Sequence, residues 1–373
     1  MKYYVIAGEV SGDKHTSLVI NNIKKYDNKA DFRGFGGEYM KKEGVFLVRH
    51  IKDLAYMGFV EVVLHLKTIL KNLTLCKNDI LAYKPDAMIL TDYPGFNLRI
   101  AKFARKHKIK VFYYVSPQVW AWKKGRTKTI AKVIDKLFVI LPFEKDFYKK
   151  HNVEVEYCGN PLLDEIEEFR QKEENKQKFL QKYDLQNKPI IALLPGSRKQ
   201  EIKKMLPLQV KVFDKYKDKF HFVIAGVNTF REDFYRSFLQ NRDIRVIFND
   251  TYNLLNVSLA AVVCSGTATL ETALFNVPQI VCYRANFLSY FLAKRIVKIR
   301  YISLVNIIMK KRVVKELLQQ ECNENSILQE LEKICYEESY INEMKQNYKV
   351  LRSFLGSAGT SEKIAQYITK HTM

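Results

Sequence analysis

Small and acidic residues follow the first apolar run of the chain, where they could take part in chemistry. The run Tyr3–Ala7 predicts a strand, and the segment GEVSGD (8–13) follows it directly. Glycines and a serine at a strand-to-helix turn leave backbone N–H groups that can bind a ligand at the helix N-terminus. The segment is not GxGxxG, so the dinucleotide fingerprint is absent. A simple tight turn with Ser11 or Asp13 as the helix N-cap fits equally well. Glu9 and Asp13 are nevertheless candidates for chemistry, because open α/β folds bind ligands at such turns.

A further carboxylate follows another apolar run. The run Ala87–Thr91 predicts a strand, and Asp92 comes directly after it in the segment TDYPGFN. We therefore expect Asp92 to lie at the carboxyl end of a strand and to point toward the same crevice as the first turn. A carboxylate there can accept a proton from a substrate hydroxyl. It can also cap the following helix, although Asn97 is better placed for that role.

Both tryptophans of the chain lie in a third segment. Trp120 and Trp122 belong to SPQVWAWKKGR (116–126), which follows a strand predicted over Val111–Val115. The segment joins a large apolar surface to several cations. It fits a packed loop, the wall of a cleft, or a lip that faces a membrane, since Trp, Lys and Arg all suit an interface.

Two turns in the second half of the chain are suited to phosphate. LPGSR (194–198) closes a predicted strand and opens a helix predicted over Gln200–Tyr216. Gly-Ser at a helix N-terminus beside Arg198 can bind phosphate or pyrophosphate. The segment CSGTATLE (264–271) again reads as strand, small-residue turn and helix, and Glu271 lies one turn into that helix. A carboxylate there can accept both hydroxyls of a ribose, so the two turns together indicate a nucleotide site.

The order of elements predicts an α/β protein. Short apolar runs alternate with amphipathic segments, which is typical of parallel sheets covered by helices, and 373 residues suit two domains. We expect two Rossmann-like, doubly wound domains at 1–170 and 171–345 that face a cleft. Helices at 346–373 would pack back on the first domain or on a partner subunit. The predicted strands are Tyr3–Ala7, Ala87–Thr91, Val111–Val115, Leu137–Leu141, Ile190–Leu194, His221–Ala225, Arg245–Phe248, Ala261–Cys264 and Gln279–Cys282, and the first half also has helices predicted over Ser17–Tyr26 and Leu98–His107.

The net charge of +22 implies an anionic partner. It is concentrated in two blocks. Residues Lys102–Lys150 hold 14 Lys and Arg against 3 Asp and Glu, and Val281–Lys315 hold 9 Lys and Arg and no acid. Anionic lipid, nucleic acid and phosphorylated small molecules all fit such blocks. The segment Phe287–Arg300 mixes aromatic and basic residues like an interfacial helix, although its apolar face could equally be buried in the fold.

Other residue types argue against several kinds of site. The six cysteines show no CxxC spacing and suit free, mostly buried thiols of a cytoplasmic protein. The seven histidines are scattered, so neither a metal nor a cofactor is expected. No apolar stretch is long enough for a transmembrane helix, and the first residues do not resemble a signal peptide.

These segments together resemble lipid-A-disaccharide synthase, a family-19 glycosyltransferase of the GT-B fold found in Gram-negative bacteria. Val10, Gly95 and Val305 depart from the usual family residues, which are Ala, an acidic residue and Pro. The matching segments run in family order from residue 8 to 319: GEVSGD (8–13), FGGEYM (35–40), MGFVEV (57–62), PDAMILTDYPGFN (85–97), SPQVWAWKKGR (116–126), CGNPLLD (158–164), LPGSR (194–198), SGTATLE (265–271), SLVNII (303–308) and KELLQ (315–319).

The resemblance implies a reaction and its partners. UDP-2,3-diacylglucosamine would donate its sugar to the 6-hydroxyl of 2,3-diacylglucosamine 1-phosphate, giving the β-1,6-linked lipid A disaccharide 1-phosphate and UDP. An α-linked donor and a β-linked product mean inversion, hence one in-line displacement with a general base. Both substrates are anionic and acylated. The enzyme is therefore expected at the cytoplasmic surface of the inner membrane, on anionic lipid, with no nucleic-acid partner and with a homodimer as one oligomeric state.

The resemblance also implies roles for individual residues. Asp92 is the first candidate for the general base, and Glu9, Asp13 and His15 are the alternatives. The first domain would bind the acceptor and the second UDP-sugar. The UDP site would comprise Gly196, Ser197, Arg198, Ser265, Gly266, Thr267, Thr269, Glu271, Asn306 and Gln319. The acceptor and acyl chains would contact Ser11, Gly12, Met57, Phe59, Val62 and Trp120.

Two rival functions remain open on the sequence. Another GT-B sugar-nucleotide enzyme, such as a UDP-N-acetylglucosamine 2-epimerase or the peptidoglycan transferase, shares the two-domain plan but lacks the pair GEVSGD and SPQVWAW. A non-enzymatic nucleic-acid or lipid binder would explain the charge. It would not need two ligand turns, and no nucleic-acid motif is present.

Overall fold

The computed structural model describes residues 1–54, 66–122, 125–172, 176–284 and 300–372. The chain divides into two compact units, Met1–Asp164 with Leu355–Met373, and Glu165–Phe354. The expected boundaries at 170/171 and 345/346 therefore differ from the observed ones by several residues. The first observed boundary falls inside the helix Pro161–Arg170, and the second falls at the end of the helix Glu338–Leu355. The sequence instead indicates a first boundary in the charged stretch that follows Arg170.

The first unit contains a seven-stranded parallel sheet. Its strands are β1 (Lys2–Ala7), β2 (Asp31–Gly36), β3 (Phe46–His50), β4 (Ala87–Thr91), β5 (Lys110–Tyr114), β6 (Lys136–Val139) and β7 (Val155–Tyr157). They lie in the order β3-β2-β1-β4-β5-β6-β7. Strand β1 pairs with β2 on one side and with β4 on the other, with Val5 opposite both Gly34 and Ile89.

Helices cover both faces of this sheet, so its central strands are buried on both sides and read as continuous apolar runs. The helices of the first unit are α1 (Val10–Tyr26), α2 (Glu38–Lys42), α3 (Leu66–Tyr83), α4 (Pro94–Lys106), α5 (Val119–Trp122), α6 (Arg126–Val133), α7 (Glu144–Lys149) and the first residues of α8 (Pro161–Arg170). Successive residues of β1 enter different cores. Tyr4 and Ile6 pack with α3 and α4, and Tyr3 and Val5 pack with α1 and the last helix.

The second unit contains a six-stranded parallel sheet. Its strands are β8 (Ile190–Leu194), β9 (His221–Gly226), β10 (Arg245–Phe248), β11 (Ser258–Cys264), β12 (Gln279–Tyr283) and β13 (Lys315–Leu318), in the order β10-β9-β8-β11-β12-β13. Its helices are the rest of α8, α9 (Lys176–Lys182), α10 (Lys199–Gln209), α11 (Phe213–Tyr216), α12 (Glu232–Arg236), α13 (Thr251–Val257), α14 (Thr267–Leu274), α15 (Leu304–Met309), α16 (Glu324–Tyr336) and α17 (Glu338–Leu355).

The last helix, α18 (Thr360–Thr372), returns to the first unit. Ile364, Ala365 and Ile368 lie in the same apolar cluster as residues of α1. Residues 346–354, which the sequence grouped with this helix, belong instead to the second unit because they continue α17.

The expected fold, two doubly wound parallel sheets followed by helices, is confirmed, and the errors are local. Helix α1 begins at Val10 rather than Ser17, so most of GEVSGD is helical. The helix expected over Gln200–Tyr216 is interrupted by a 3-10 turn at Val210–Val212, just after Pro207, which cannot donate a backbone hydrogen bond. The strands β2, β3, β7 and β13 were missed because they are short, charged or rich in glycine.

Candidate functional site

The topology puts four of the predicted site segments at the two places where doubly wound sheets bind ligands. In each sheet the strands that follow the first one are added on one side of it, and later strands are added on its other side. The strand order therefore reverses between the first strand and the later strand next to it. Ligands bind at the carboxyl ends of those two strands. The pair is β1 and β4 in the first unit, and β8 and β11 in the second. GEVSGD follows β1 and Asp92 follows β4, whereas LPGSR follows β8 and SGTATLE follows β11.

The turn after β4 has an unusual backbone. Asp92 and Tyr93 are consecutive non-glycine residues with φ values of 45° and 48°, in the left-handed region that such residues seldom adopt. Three hydrogen bonds hold the turn. Asn97 Nδ2 donates to the carbonyls of Thr91 and Asp92 at 3.1 and 2.8 Å, and the Tyr113 hydroxyl donates to the Asp92 carbonyl at 2.5 Å. Backbone strain of this kind persists where the surroundings enforce it, and functional sites are enriched in it.

The helix cap at this turn differs from the expectation. Tyr93 is the N-cap of α4, and Asn97 lies inside the helix with its side chain turned back to the turn. Asn97 therefore fixes the conformation of Asp92 rather than capping the helix. The Asp92 side chain is half-buried.

The first glycine of GEVSGD allows the two turns to meet. A Cβ atom on Gly8 would lie 2.3 Å from the ring of Tyr93, so only glycine lets that ring pack over the end of β1. The Tyr93 ring stacks on Phe96 at a centroid distance of 5.4 Å. Close by, the hydroxyls of Thr16 and Thr91 are 2.6 Å apart and join α1 to the end of β4. The turns after β1 and β4 thus form one packed surface.

The other base candidates differ sharply in their surroundings. Glu9 is the N-cap residue of α1 and is half-buried. Asp13 is 1% exposed, and its carboxylate accepts the N–H groups of Gly37, Tyr39 and Met40 at 2.7, 3.0 and 3.2 Å. Burial raises the pKa of Asp13 above its usual value, an effect that these three bonds partly offset. Asp13 therefore anchors α1 to the turn after β2. His15 is 5% exposed and its ring lies 6.4 Å from that of Tyr114.

The residues expected to bind the acceptor are only partly described. Ser11 is exposed in the first turn of α1, and Gly12 is buried against Thr91. Met57, Phe59 and Val62, together with most of the predicted helix Phe287–Arg300, lie outside the described residues. Trp120 is half-buried, and its ring meets Phe143 edge-on at 5.0 Å.

A buried carboxylate holds the segment that contains Trp120. The Ser116 hydroxyl contacts Glu144 Oε1 at 2.5 Å, and the N–H groups of Ile140 and Leu141 donate to Oε2 at 3.1 and 2.9 Å. Burial raises the pKa of Glu144 to about 7, although Ser116 and the two N–H groups favour its charged form. The sequence does not predict a role for Glu144, because a glutamate at the start of a short helix gives no signal of burial.

The turn after β8 carries its own carboxylate. Arg198 is the N-cap of α10, and the N–H groups of Ser197 and Arg198 donate to Glu201 Oε2 at 3.1 and 3.2 Å. The Arg198 guanidinium pairs with Glu201 Oε1 at 3.1 Å. A phosphate that used these donors would have to displace Glu201. Gly196 has φ 111°, which favours glycine, and leads the chain into this turn.

The turn after β11 is open at its tip. Gly266 and Thr267 are exposed, and Gly266 is the N-cap of α14 with φ 139°. Ser265 is half-buried and donates to the Ile302 carbonyl at 3.2 Å. Thr269 is fully buried, and its hydroxyl donates to the Gly266 carbonyl at 2.8 Å. Thr269 therefore shapes the turn from within.

Asn306 and Gln319 differ in what they can contact. Asn306 is fully buried: its Oδ1 accepts the N–H groups of Val313 and Val314 at 2.7 and 3.0 Å, and its Nδ2 donates to the Val314 carbonyl and to Glu316 at 2.9 Å each. All of its polar atoms are thus engaged inside the unit. Gln319 is half-buried at the carboxyl end of β13. The departure at Val305 leaves helix α15 intact, since Ser303 caps it.

The described residues can do two kinds of chemistry. The first unit offers carboxylates at the carboxyl ends of β1 and β4, suited to proton transfer. The second offers N–H groups, hydroxyls and Arg198 at two helix N-termini, suited to an anion. Across the described part of the chain, no three His, Cys, Asp or Glu side chains are grouped so that they could hold a metal ion. No described helix has the length and apolar character needed to cross a membrane.

Solved structures with a similar fold include a UDP-GlcNAc 2-epimerase and a glycotransferase. The UDP-GlcNAc 2-epimerase from Neisseria meningitidis, crystallised with UDP-GlcNAc, superposes with a TM-score of 0.69 over 99% of this chain and 100% of its own, at 13% identity. The glycotransferase of kitacinnamycin gives a TM-score of 0.64 over 100% and 99%, at 11% identity. These likenesses show the fold, two Rossmann-like units of the GT-B type.

Sequence relatives identify the family. The family described as Lipid-A-disaccharide synthetase matches residues 3–368. The lipid-A-disaccharide synthase of Syntrophus aciditrophicus is 37% identical over 97% of this chain and 95% of its own length. Lipid-A-disaccharide synthase 1 of Legionella pneumophila is 36% identical over 86% and 84%. Since the match spans nearly the whole chain, this protein belongs to the lipid-A-disaccharide synthase family of glycosyltransferases, which make the lipid A disaccharide.

Proposed function

We propose that the two units divide the work of the transfer, with the acceptor on the first and UDP on the second. The acceptor would be 2,3-diacylglucosamine 1-phosphate and the donor UDP-2,3-diacylglucosamine. The observation that carries this proposal is the position of the candidate residues at the switch points of both sheets. Carboxylates occupy one switch point and anion-binding groups the other.

Asp92 is the proposed general base. It follows β4, its backbone carbonyl accepts hydrogen bonds from Asn97 and Tyr113, and its side chain is half-buried, whereas that of Asp13 is fully buried and accepts three backbone N–H groups. It would accept the proton of the acceptor 6-hydroxyl as that oxygen attacks the sugar. Glu9, at the end of β1, is the alternative that the geometry supports best.

The charge that develops on UDP would be met by the turns after β8 and β11. Arg198, the N–H groups of the exposed turn at Gly266 and Thr267 and the dipole of α14 would stabilise negative charge, and Glu271 would accept the ribose hydroxyls. Arg198 and the N–H groups beside it would exchange Glu201 for a phosphate group. Asn306 would act by shaping the loop rather than by touching the ligand.

Membrane contact would bring the acylated substrates to the site. Helix α3 supports this, because Leu66 and Leu70 are 47% and 51% exposed on the same side of the helix and Lys67 and Lys71 lie beside them. Apolar and basic side chains together suit the surface of an anionic membrane. The expected place is the cytoplasmic surface of the inner membrane. The homodimer stays a prediction, which sedimentation of the purified protein would check.

Incubation of the purified protein with both acylated substrates tests the proposal. We expect UDP and a disaccharide 1-phosphate, and no turnover when either substrate is left out. UDP-GlcNAc alone serves as the control for the rival activity. Epimerisation of UDP-GlcNAc without formation of a disaccharide would refute the proposal.

A further inference from the structure

The carboxylate of Glu271 is held by a tyrosine from another helix. The hydroxyl of Tyr252 on α13 lies 3.0 Å from Glu271 Oε1 and also 3.0 Å from Glu165 Oε2. Glu165 is 5% exposed, and Glu271 is half-buried. Two carboxylates, from two different helices of the second unit, therefore meet at the phenolic oxygen of a third helix.

Aromatic packing fixes this tyrosine in place. Its ring meets Phe169 edge-on at 5.6 Å and Phe275 at 5.1 Å, and those two rings are 5.5 Å from each other. Phe169 lies four residues after Glu165 on α8, and Phe275 lies four residues after Glu271 at the end of α14. Residues four apart share a face of a helix. Each of the two helices thus presents one carboxylate and one ring to Tyr252.

The count of hydrogens gives the contacts a direction. Burial and the two carboxylates raise the pKa of Tyr252 well above its usual value, so the phenol keeps its proton. One proton can be donated to only one carboxylate at a time. A second contact of 3.0 Å in a buried place is favourable when the other carboxyl supplies a proton of its own. The arrangement that gives each of these two contacts its own proton has Glu165 donating to Tyr252 and Tyr252 donating to an ionised Glu271.

We propose that Tyr252 and Glu165 are positioning residues that orient Glu271 for recognition of a ribose. The inference rests on the proposed function, which assigns the ribose hydroxyls to Glu271. A carboxylate whose plane is fixed accepts two vicinal hydroxyls with defined geometry, whereas a mobile one loses side-chain entropy on binding. Tyr252 and Glu165 therefore set the preference of the site for ribonucleoside over 2′-deoxyribonucleoside diphosphates.

Calorimetric titration with UDP and with 2′-deoxy-UDP tests this inference. Wild-type protein should bind UDP more tightly than 2′-deoxy-UDP. Tyr252→Phe keeps the ring packing and removes the hydroxyl, so UDP affinity should fall about tenfold and 2′-deoxy-UDP affinity much less. Tyr216→Phe is the matched control, because Tyr216 also donates to a carboxylate, Glu332, in the same unit. It should change neither affinity.

Variants at Glu165 test the direction of the contacts. The amide of Glu165→Gln can donate to Tyr252 as a protonated carboxyl does, so this variant should keep the ratio of the two affinities. Glu165→Leu removes the donor and should lower the ratio toward that of Tyr252→Phe. Adding Tyr252→Phe to Glu271→Ala should have no further effect on the ratio.

The outcomes separate this inference from the proposed function. Equal losses of affinity for both nucleotides in Tyr252→Phe, or no loss in either that variant or Glu165→Leu, would overturn the positioning role. Wild-type protein that binds UDP and 2′-deoxy-UDP equally, or binds neither, would overturn the assignment of Glu271 itself. If Tyr252→Phe does not fold, the two Glu165 variants decide the matter.

Discussion

The backbone conformation of Asp92 depends on the side chains of Asn97, in the following helix, and Tyr113, in the neighbouring strand β5. Two adjacent left-handed residues cost on the order of 1–3 kcal/mol each. The bonds from Asn97 and Tyr113 to the Asp92 carbonyl, and the glycine at position 8, offset that cost. These contacts fix the backbone from which the Asp92 carboxylate projects.

Glu144 should make stability depend on pH. Its pKa of about 7 in the folded protein is above the ordinary value, so the folded state binds this proton more tightly than the unfolded state. The contribution of Glu144 to the free energy of unfolding should therefore fall as pH rises from about 4.5 to 7, by on the order of 3 kcal/mol. Glu144→Gln resembles the protonated carboxyl and removes this dependence.

Urea unfolding of both proteins at pH 5 and pH 8 measures the effect. The free energy of unfolding of Glu144→Gln, relative to that of the wild type, should be higher at pH 8 than at pH 5. Glu154→Gln, at an exposed position, is the control and should keep a nearly constant difference. A constant difference for Glu144→Gln as well would mean that Glu144 is ionised at both values.

Asp164, nearly two hundred positions earlier in the sequence, binds the N-terminus of helix α18 to the first unit. Asp164 accepts the N–H groups of Gly359, Thr360 and Ser361 at 2.7, 3.0 and 2.7 Å, and the Ser361 hydroxyl at 2.6 Å. An anion at a helix N-terminus satisfies N–H groups that the helix leaves unpaired and interacts well with the helix dipole.

Asp164→Asn should therefore lower the free energy of unfolding by about 1–3 kcal/mol, since one charged acceptor of several bonds is lost. Chemical denaturation gives the value. Ser361→Ala, which removes only the hydroxyl contact, should cost less, about 1 kcal/mol. An Asp164→Asn protein as stable as the wild type would show that the packing of Ile364 and Ile368 alone holds the helix.

The sequence predicts the central elements of each sheet well and the edge elements poorly. Strands such as β4 and β8 are buried on both faces, so they read as apolar runs. Strand β2 contains charges and glycines and is recognised only by its pairing with β1 and β3. The strand order, which creates both switch points, depends on contacts between distant segments and leaves no local signal.

The same limit applies to the candidate site. Asp92 and Glu271 could be chosen because each follows an apolar strand and a turn. The residues that hold them, Tyr113 and Tyr252, cannot be predicted in this way. Glu201, three residues after the N-cap Arg198, is the one partner with a local signal, because its position fits a capping box. A tyrosine in a strand or a glutamate in a helix has no pattern that reveals a distant partner.

The charge of the whole chain should control its binding to membranes. Exposed charges are screened over about 8 Å at physiological salt. Sedimentation with anionic vesicles should show strong binding at low salt and a steep loss as ionic strength rises, with far less binding to neutral vesicles. Equal binding to both kinds of vesicle at low salt would contradict the electrostatic part of the membrane proposal.

The division of labour between the two units is the central claim, and one pair of variants tests it directly. Turnover of the two acylated substrates and UDP affinity are measured for Asp92→Asn and Arg198→Ala. Asp92→Asn should lower kcat by about 10²–10⁴, roughly 3–5 kcal/mol of barrier, and leave UDP affinity unchanged. Arg198→Ala should weaken UDP binding and also lower kcat, because the leaving-group charge grows in the transition state. Near-normal kcat in an Asp92→Asn protein that unfolds more easily would contradict the claim, since Asp92 would then only shape its turn and the base would have to be sought first at Glu9.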